Sequence, residues 1–199
     1  LTYTLPAWQT ACGAVDMLMH TMERYFSMDD DMEITDAIAE ALMRTVIDSS
    51  HAVMKNPTDY RHRAQLMWAG TLAHNDLTGC GTSGDWATHN IEHELSGMFN
   101  VSHGAGLAAI FPYWAQYVLD QNPSRFARFA VNVLHVTADF RNIKATALEG
   151  IGWQVVTMEP SQWREMNRYP FPLFPASLLP PCSCRLCKKE TARARRPRQ

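Results

Sequence analysis

PAWQTACGAVDMLMHTMERYF, residues 6–26, is the stretch on which the fold turns. Its apolar residues Ala11, Val15, Leu18, Met19, Met22, Tyr25 and Phe26 recur three and four apart, the period of an amphipathic helix. Pro6 suits the first turn, where its missing N–H costs nothing. Working outward, helical spacing returns over residues 33–54 through Ile38, Leu42, Val46 and Ile47, with Ala37, Ala39 and Ala41 adding propensity. A third helix is expected over residues 59–77, capped by Asp59, with Leu66, Trp68, Ala69, Leu72 and Ala73 as its buried face. A short helix over residues 86–99 follows a Gly-rich loop, with Asp85 as its cap. Helices over residues 105–119, bent or broken near Pro112, and 124–138 complete the set. Period-2 alternation and repeats are lacking, so the fold class is all-α, a helical bundle.

Beyond Gly152 the character changes. Prolines gather at 170, 172, 175, 180 and 181, Cys182, Cys184 and Cys187 cluster, and the end is rich in arginine. Such a composition specifies no packed element. The expected division is therefore a helical domain at residues 1–151 and an irregular Pro/Cys/Arg-rich tail at residues 152–199. The chain starts at Leu1, already on the approach to a helix, and reads as a piece of a longer protein.

The formal net charge of −2 gives no bias toward nucleic acid or a membrane surface, although basic residues crowd the tail and leave the remainder acidic. No apolar run is long enough to span a bilayer. Five cysteines without a regular framework point to a reducing compartment, the cytoplasm.

Asp16 and His20 lie four apart, so both emerge on one face of the first helix, beside Val15 and Met19. A carboxylate and an imidazole next to a core need each other or a metal. His89 and His93 repeat the spacing on the short helix, and His103 follows across a loop. Nitrogen donors with one carboxylate suit Zn²⁺ or Fe²⁺ better than Ca²⁺ or Mg²⁺. His51, His62 and His135 have no partner at useful spacing and read as structural or surface residues.

Three short patterns compete for attention. Residues 89–93 spell H-x-x-E-H, a zinc-peptidase pattern in which His89 and His93 bind zinc and Glu92 is the general base. Residues 79–84 spell G-x-G-x-x-G, but a helix precedes it where a dinucleotide fingerprint needs a strand, so it reads as a loop. The C-x-C-x-x-C of residues 182–187 lacks a fourth ligand.

Longer stretches carry a more specific signal. TYTLP (residues 2–6), GAVDMLMHTMERY (13–25), MWAGTLAHN (67–75), GDWATHNIEHEL (84–95) and VSHGAGL (101–107) closely resemble iron-containing (group III) alcohol dehydrogenases, in particular their butanol dehydrogenase and aldehyde reductase branch. The likeness runs to TALEGI (146–151). It implies Asp16, His20, His89 and His103 as ligands of Fe²⁺ or Zn²⁺. It makes His93 no ligand but a residue facing substrate and nicotinamide, placed to relay a proton. The implied reaction interconverts a primary alcohol and its aldehyde with NAD(P) as hydride carrier. The implied partners are that small-molecule substrate and, at the level of the family, a second copy in a homodimer. The family's NAD(P)-binding α/β domain has no counterpart in this chain, which would supply the metal site only. A zinc hydrolase built on His89, His93 and Glu92, or an inactive fragment, are the other readings. A frameshift near residue 152 would account for the tail. Translating the coding DNA in its other frames tests this; family-like helices in another frame are the expected result.

Overall fold

The computed structural model describes residues 1–156, with side chains through residue 152. Seven α-helices appear among them: α1 (Ala7–Tyr25), α2 (Glu33–Lys55), α3 (Tyr60–His74), α4 (Ala87–Phe99), α5 (His103–Val118), α6 (Pro123–Asn132) and α7 (Ile143–Val156). No strand occurs among the described residues. No helix among them is long and apolar enough to cross a membrane.

Helix α1 is the hub and packs against α2, α3 and α5. Its apolar stripe does what its spacing predicts: Met19, Met22, Tyr25 and Phe26 are buried with Met43 of α2, Leu107, Phe111 and Trp114 of α5, and Phe126 and Phe129 of α6. The Phe26 ring stacks on Phe126 at 4.4 Å between centroids. On its other side Ala14 joins Leu42, Val46 and Val53 of α2 and Leu66, Ala69 and Ala73 of α3 in a second core. Small side chains let these three helices approach closely.

Several ends depart from the periodicity. Pro6 is the residue before α1 and not its first turn. Helix α3 is capped as expected, with the Asp59 side chain accepting from the His62 N–H, but it stops at His74, and Asp76 then takes a left-handed φ of 68°. Trp68 is 61% exposed and lines a surface groove with Leu1, Tyr3, Tyr60 and Met67. The buried residues of α3 are Arg63, Leu66, Ala69 and Ala73, a stripe that excludes position 68. Arg63 occupies the core edge because its guanidinium donates to Thr10 Oγ1 (3.0 Å) and the Pro57 carbonyl (2.8 Å). Helix α5 runs through Pro112 without breaking; most residues from Gly104 to Ala115 are buried, and their packing outweighs the missing hydrogen bond. Helix α6 ends at Asn132, short of the expected 138, because His135 turns left-handed and the Val136 N–H returns to the Ala130 carbonyl.

Helix α7 is absent from the periodic reading. Its buried residues, Thr146, Ala147, Gly150 and Ile151, are mostly small, while Ile143 and Leu148 face solvent. The usual contrast of large apolar inside and polar outside is thus erased. The helix crosses the boundary placed at residue 151. The first residues of the expected irregular tail therefore belong to α7, and the rest of it, with its cysteine cluster, lies outside the described residues.

A buried polar network ties α6 to α1 and α2. Asp36 and Glu40, one turn apart on α2, receive Arg125 and Arg128 of α6. Arg125 donates through Nη2 to Asp36 (2.5 Å) and through Nε to the Tyr25 carbonyl (2.6 Å), and it lies 4.1 Å above the Tyr25 ring. Tyr25 Oη donates to Glu40 (2.9 Å), and Asn132 Nδ2 reaches both Glu40 oxygens. Burial, then Glu40, pushes the Tyr25 hydroxyl far above its ordinary range. Arg125→Ala leaves Asp36 with Arg128 alone, at 2.9 Å, and takes the donor from the Tyr25 carbonyl, so it should cost about 3–5 kcal/mol. Urea unfolding of the full chain measures this; a loss below about 1 kcal/mol would show that the pair contributes little.

Candidate metal centre

The site forms where α1, α3, α4 and α5 meet. Asp16 and His20 stand on one face of α1, as their spacing requires, with His20 Nε2 3.7 Å from Asp16 Oδ1. His89 comes from the first turn of α4 and His103 from the first residue of α5. Their Nε2 atoms face the same Asp16 oxygen at 3.8 Å and 3.4 Å. The structure therefore brings Asp16, His20, His89 and His103 together around one carboxylate oxygen.

Two buried glutamates set the direction of two of these rings. Glu23, close to one turn after His20 on α1, is fully buried. Its Oε1 accepts from the backbone N–H groups of Thr88 (2.8 Å) and His89 (3.2 Å), and its Oε2 pairs with His89 Nδ1 at 2.5 Å. The N-cap position of α4 falls on Trp86, not Asp85, and Trp86 offers no side-chain acceptor; Asp85 Oδ1 still takes the Ala87 N–H at 2.8 Å, and the Glu23 carboxylate from another helix takes the next two. Glu92, also fully buried, accepts from His103 Nδ1 and from Ser96 Oγ. Each ring is held by its Nδ1, which leaves Nε2 aimed at Asp16. A carboxylate behind a histidine is the usual way of fixing a metal-binding tautomer.

Backbone shape makes room for this. A Cβ on Gly106 would lie 2.5 Å from Glu92 Oε1, and one on Gly104 would lie 2.1 Å from the Cys12 carbonyl oxygen. Only glycine lets the start of α5 approach both α1 and the Glu92 carboxylate. Asn100, at a left-handed φ of 54°, ends α4 so that the chain can turn to His103.

His20 is positioned by contact. Its ring lies 4.6 Å from His89 and 5.5 Å from Trp86, edge-on to both. Trp86 in turn lies under the Arg24 guanidinium at 5.1 Å. Burial, and next His74, hold the His20 imidazole down to about 4, so it is neutral near pH 7. Burial pushes the Asp16 carboxyl up, but His89, His20, His103 and His74 outweigh it and hold it below its ordinary value. Burial also opposes charge on His89, yet Asp16 and Glu23 lift it to about 9.

His93 is exposed on α4. Its ring stacks beside His103 at 5.3 Å and lies 6.1 Å from His89. It sits at the open edge of the cluster. Glu92 of the H-x-x-E-H pattern has no exposure and both of its oxygens are engaged, so it cannot present a carboxylate to a water molecule. The G-x-G-x-x-G stretch is an interhelical loop, as expected, pinned by Asp29 accepting from the Ser83 N–H and Oγ. Glu23 escaped the sequence reading, although Asp16, His20 and Glu23 share one face at i, i+4 and i+7. His74 stands at no telling distance from another candidate ligand and gave no signal at all.

Residues 10–152 match the model of the C-terminal part of the Fe-containing alcohol dehydrogenase family. The chain belongs to that family. It is 38% identical over 150 residues to the probable NADH-dependent butanol dehydrogenase 1 of Bacillus subtilis, covering 75% of this chain and 39% of that protein. It is 38% identical over 136 residues to the NADPH-dependent aldehyde reductase YqhD of Escherichia coli, covering 68% and 35%. The fold matches the crystal structure of NADH-dependent butanol dehydrogenase A from Thermotoga maritima with a TM-score of 0.74 at 38% identity, over 78% of this chain and 38% of that one. The chain thus spans well under half the length of these family members.

Because Glu23 serves two helices at once, Glu23→Ala should destabilise the metal-free chain by roughly 3–5 kcal/mol. Glu23→Gln, which keeps an acceptor oxygen, should cost less. Urea unfolding with a chelator present ranks the two; equal losses would show that the carboxylate is not what caps α4.

Proposed function

We propose that this chain is the metal-binding half of an NAD(P)-dependent alcohol dehydrogenase or aldehyde reductase, with Asp16, His20, His89 and His103 holding one Fe²⁺ or Zn²⁺. The observation that carries this is a pair of orphaned atoms. Asp16 Oδ1 and His89 Nε2 are buried, face each other at 3.8 Å, beyond hydrogen-bond distance, and find no hydrogen-bond partner among the described residues. Two such groups in a shielded pocket call for a cation between them. Three imidazoles and one carboxylate fit a divalent transition metal and leave it a net positive charge.

The metal would supply a Lewis acid, polarising an aldehyde carbonyl or favouring the alkoxide of an alcohol. The chain's own residues do the rest. Glu23 and Glu92 keep His89 and His103 in the tautomers that present Nε2, so the donor set is preorganised. The Trp86 ring packs edge-on against both His20 and His89, at 5.5 Å and 5.3 Å. His93, exposed and stacked at the open edge, is placed to carry a proton between solvent and a substrate oxygen. The nicotinamide cofactor, named in the relatives as NADH or NADPH, would be held mainly by a domain outside this chain. Hydride transfer belongs to that cofactor. The substrate class is a small primary alcohol or its aldehyde, and the working assembly a homodimer in the cytoplasm.

Elemental analysis of the purified chain tests the centre. About one iron or zinc per chain is expected, lost in Asp16→Ala and His89→Ala. Retention in Asp16→Ala would sink the four-ligand reading. Glu92→Gln should keep the metal with affinity weakened roughly 10–100-fold, since Glu92 acts behind His103.

A pH dependence follows as well. In the metal-free chain His89 holds a proton up to about pH 9. Metal must displace that proton, so apparent affinity should rise with pH between about 6.5 and 9 and level off above, releasing about one proton per ion from this residue. Titration calorimetry in two buffers of different ionisation enthalpy measures the proton count; an affinity flat across this window would contradict the assignment.

A further inference from the structure

We propose that His74 is an auxiliary donor of the same centre, making it a five-donor site for a divalent transition cation; this rests on the metal-centre reading above. His74 ends α3, a helix that supplies none of the four ligands. It reaches Asp16 because Ala69 and Ala73 pack against α1 and α2 in the second core.

The argument is one of lone pairs. His74 Nδ1 lies 2.7 Å from the Gly70 carbonyl oxygen. A carbonyl can only accept, so Nδ1 carries the hydrogen and the neutral ring has its lone pair on Nε2. That Nε2 faces Asp16 Oδ2 at 3.4 Å. In the neutral ring, then, a nitrogen lone pair and a carboxylate oxygen confront each other without a hydrogen between them. A backbone carbonyl behind Nδ1 is also how metal-binding histidines are commonly oriented.

The neighbours agree. The His74 ring lies 4.2 Å from that of His20. Asp16, His20 and His74 each offer a ligand atom within 4.8 Å of the others, as do Asp16, His89 and His103. The two triads share Asp16, whose Oδ2 faces His74 while its Oδ1 faces His20, His89 and His103. His74 is 41% exposed, against 23% for His20 and 6% for His89, so it stands on the outer side of the cluster.

The experiment is Co²⁺ binding to the full chain, followed by visible absorption and by competition with a chromophoric chelator, for the unmodified protein, His74→Ala and His89→Ala. His74→Ala should still take one Co²⁺, about tenfold or more weakly, with the stronger absorption of a lower-coordinate ion. An unchanged spectrum and affinity in His74→Ala, while His89→Ala loses the ion, overturns the role of His74 and leaves the metal centre standing. A lowered unfolding midpoint of metal-free His74→Ala with an unchanged Co²⁺ spectrum identifies a simple ion pair with Asp16, and overturns it too. No Co²⁺ uptake by the unmodified chain, or equal uptake in His89→Ala, overturns both readings.

Discussion

The Glu23 carboxylate holds this structure to its chemistry. One oxygen takes the first free N–H groups of α4, and the other takes Nδ1 of His89. The Glu23 carbonyl also accepts the Asp85 N–H at 2.7 Å, so the chain entering α4 is fastened to α1 through both backbone and side chain. A single buried residue thus docks a helix and chooses which nitrogen of its histidine faces Asp16. A buried carboxylate is costly to desolvate and is tolerated only when its lone pairs are used in this way.

Glu92 repeats the device one helix later, between α4 and His103 of α5. The two glutamates act in series: α1 reaches forward to α4, and α4 reaches forward to α5. The second link needs close backbone approach, which Gly104 and Gly106 permit. The apolar cores supply the adhesion, but these links supply the register. A slide of one helix by a turn would leave a buried carboxylate and a buried imidazole without partners, a penalty that repacking of the apolar side chains could not offset.

Legibility in the sequence followed the strength of the apolar contrast. Helices α1 and α2 are read almost to the residue, because large apolar side chains at three- and four-residue spacing have one arrangement in water. Helix α7 escaped because its buried face includes Thr146, Ala147 and Gly150 while Ile143 and Leu148 face solvent. Trp68 misled for the converse reason: a large aromatic residue beside a buried stripe is not itself in it. Asp36 and Glu40 form no part of the apolar stripe of α2, and they are buried because Arg125 and Arg128 arrive from α6 to pair with them.

The sequence by itself determined the local facts: helix, face and spacing, and so the pairing of Asp16 with His20 and the closeness of His89 to His93. Those depend on backbone geometry, which neighbours in the chain dictate. Which histidines meet Asp16 was left to the tertiary structure. His89 and His93 are equivalent in sequence spacing, yet one points to Asp16 and the other to the open edge, because Glu23 seizes His89 alone. His74 joins the cluster from a helix tied to α1 by packed alanines. Contacts between residues distant in sequence are set by packing and buried hydrogen bonds, and these exist only once the helices have closed on one another.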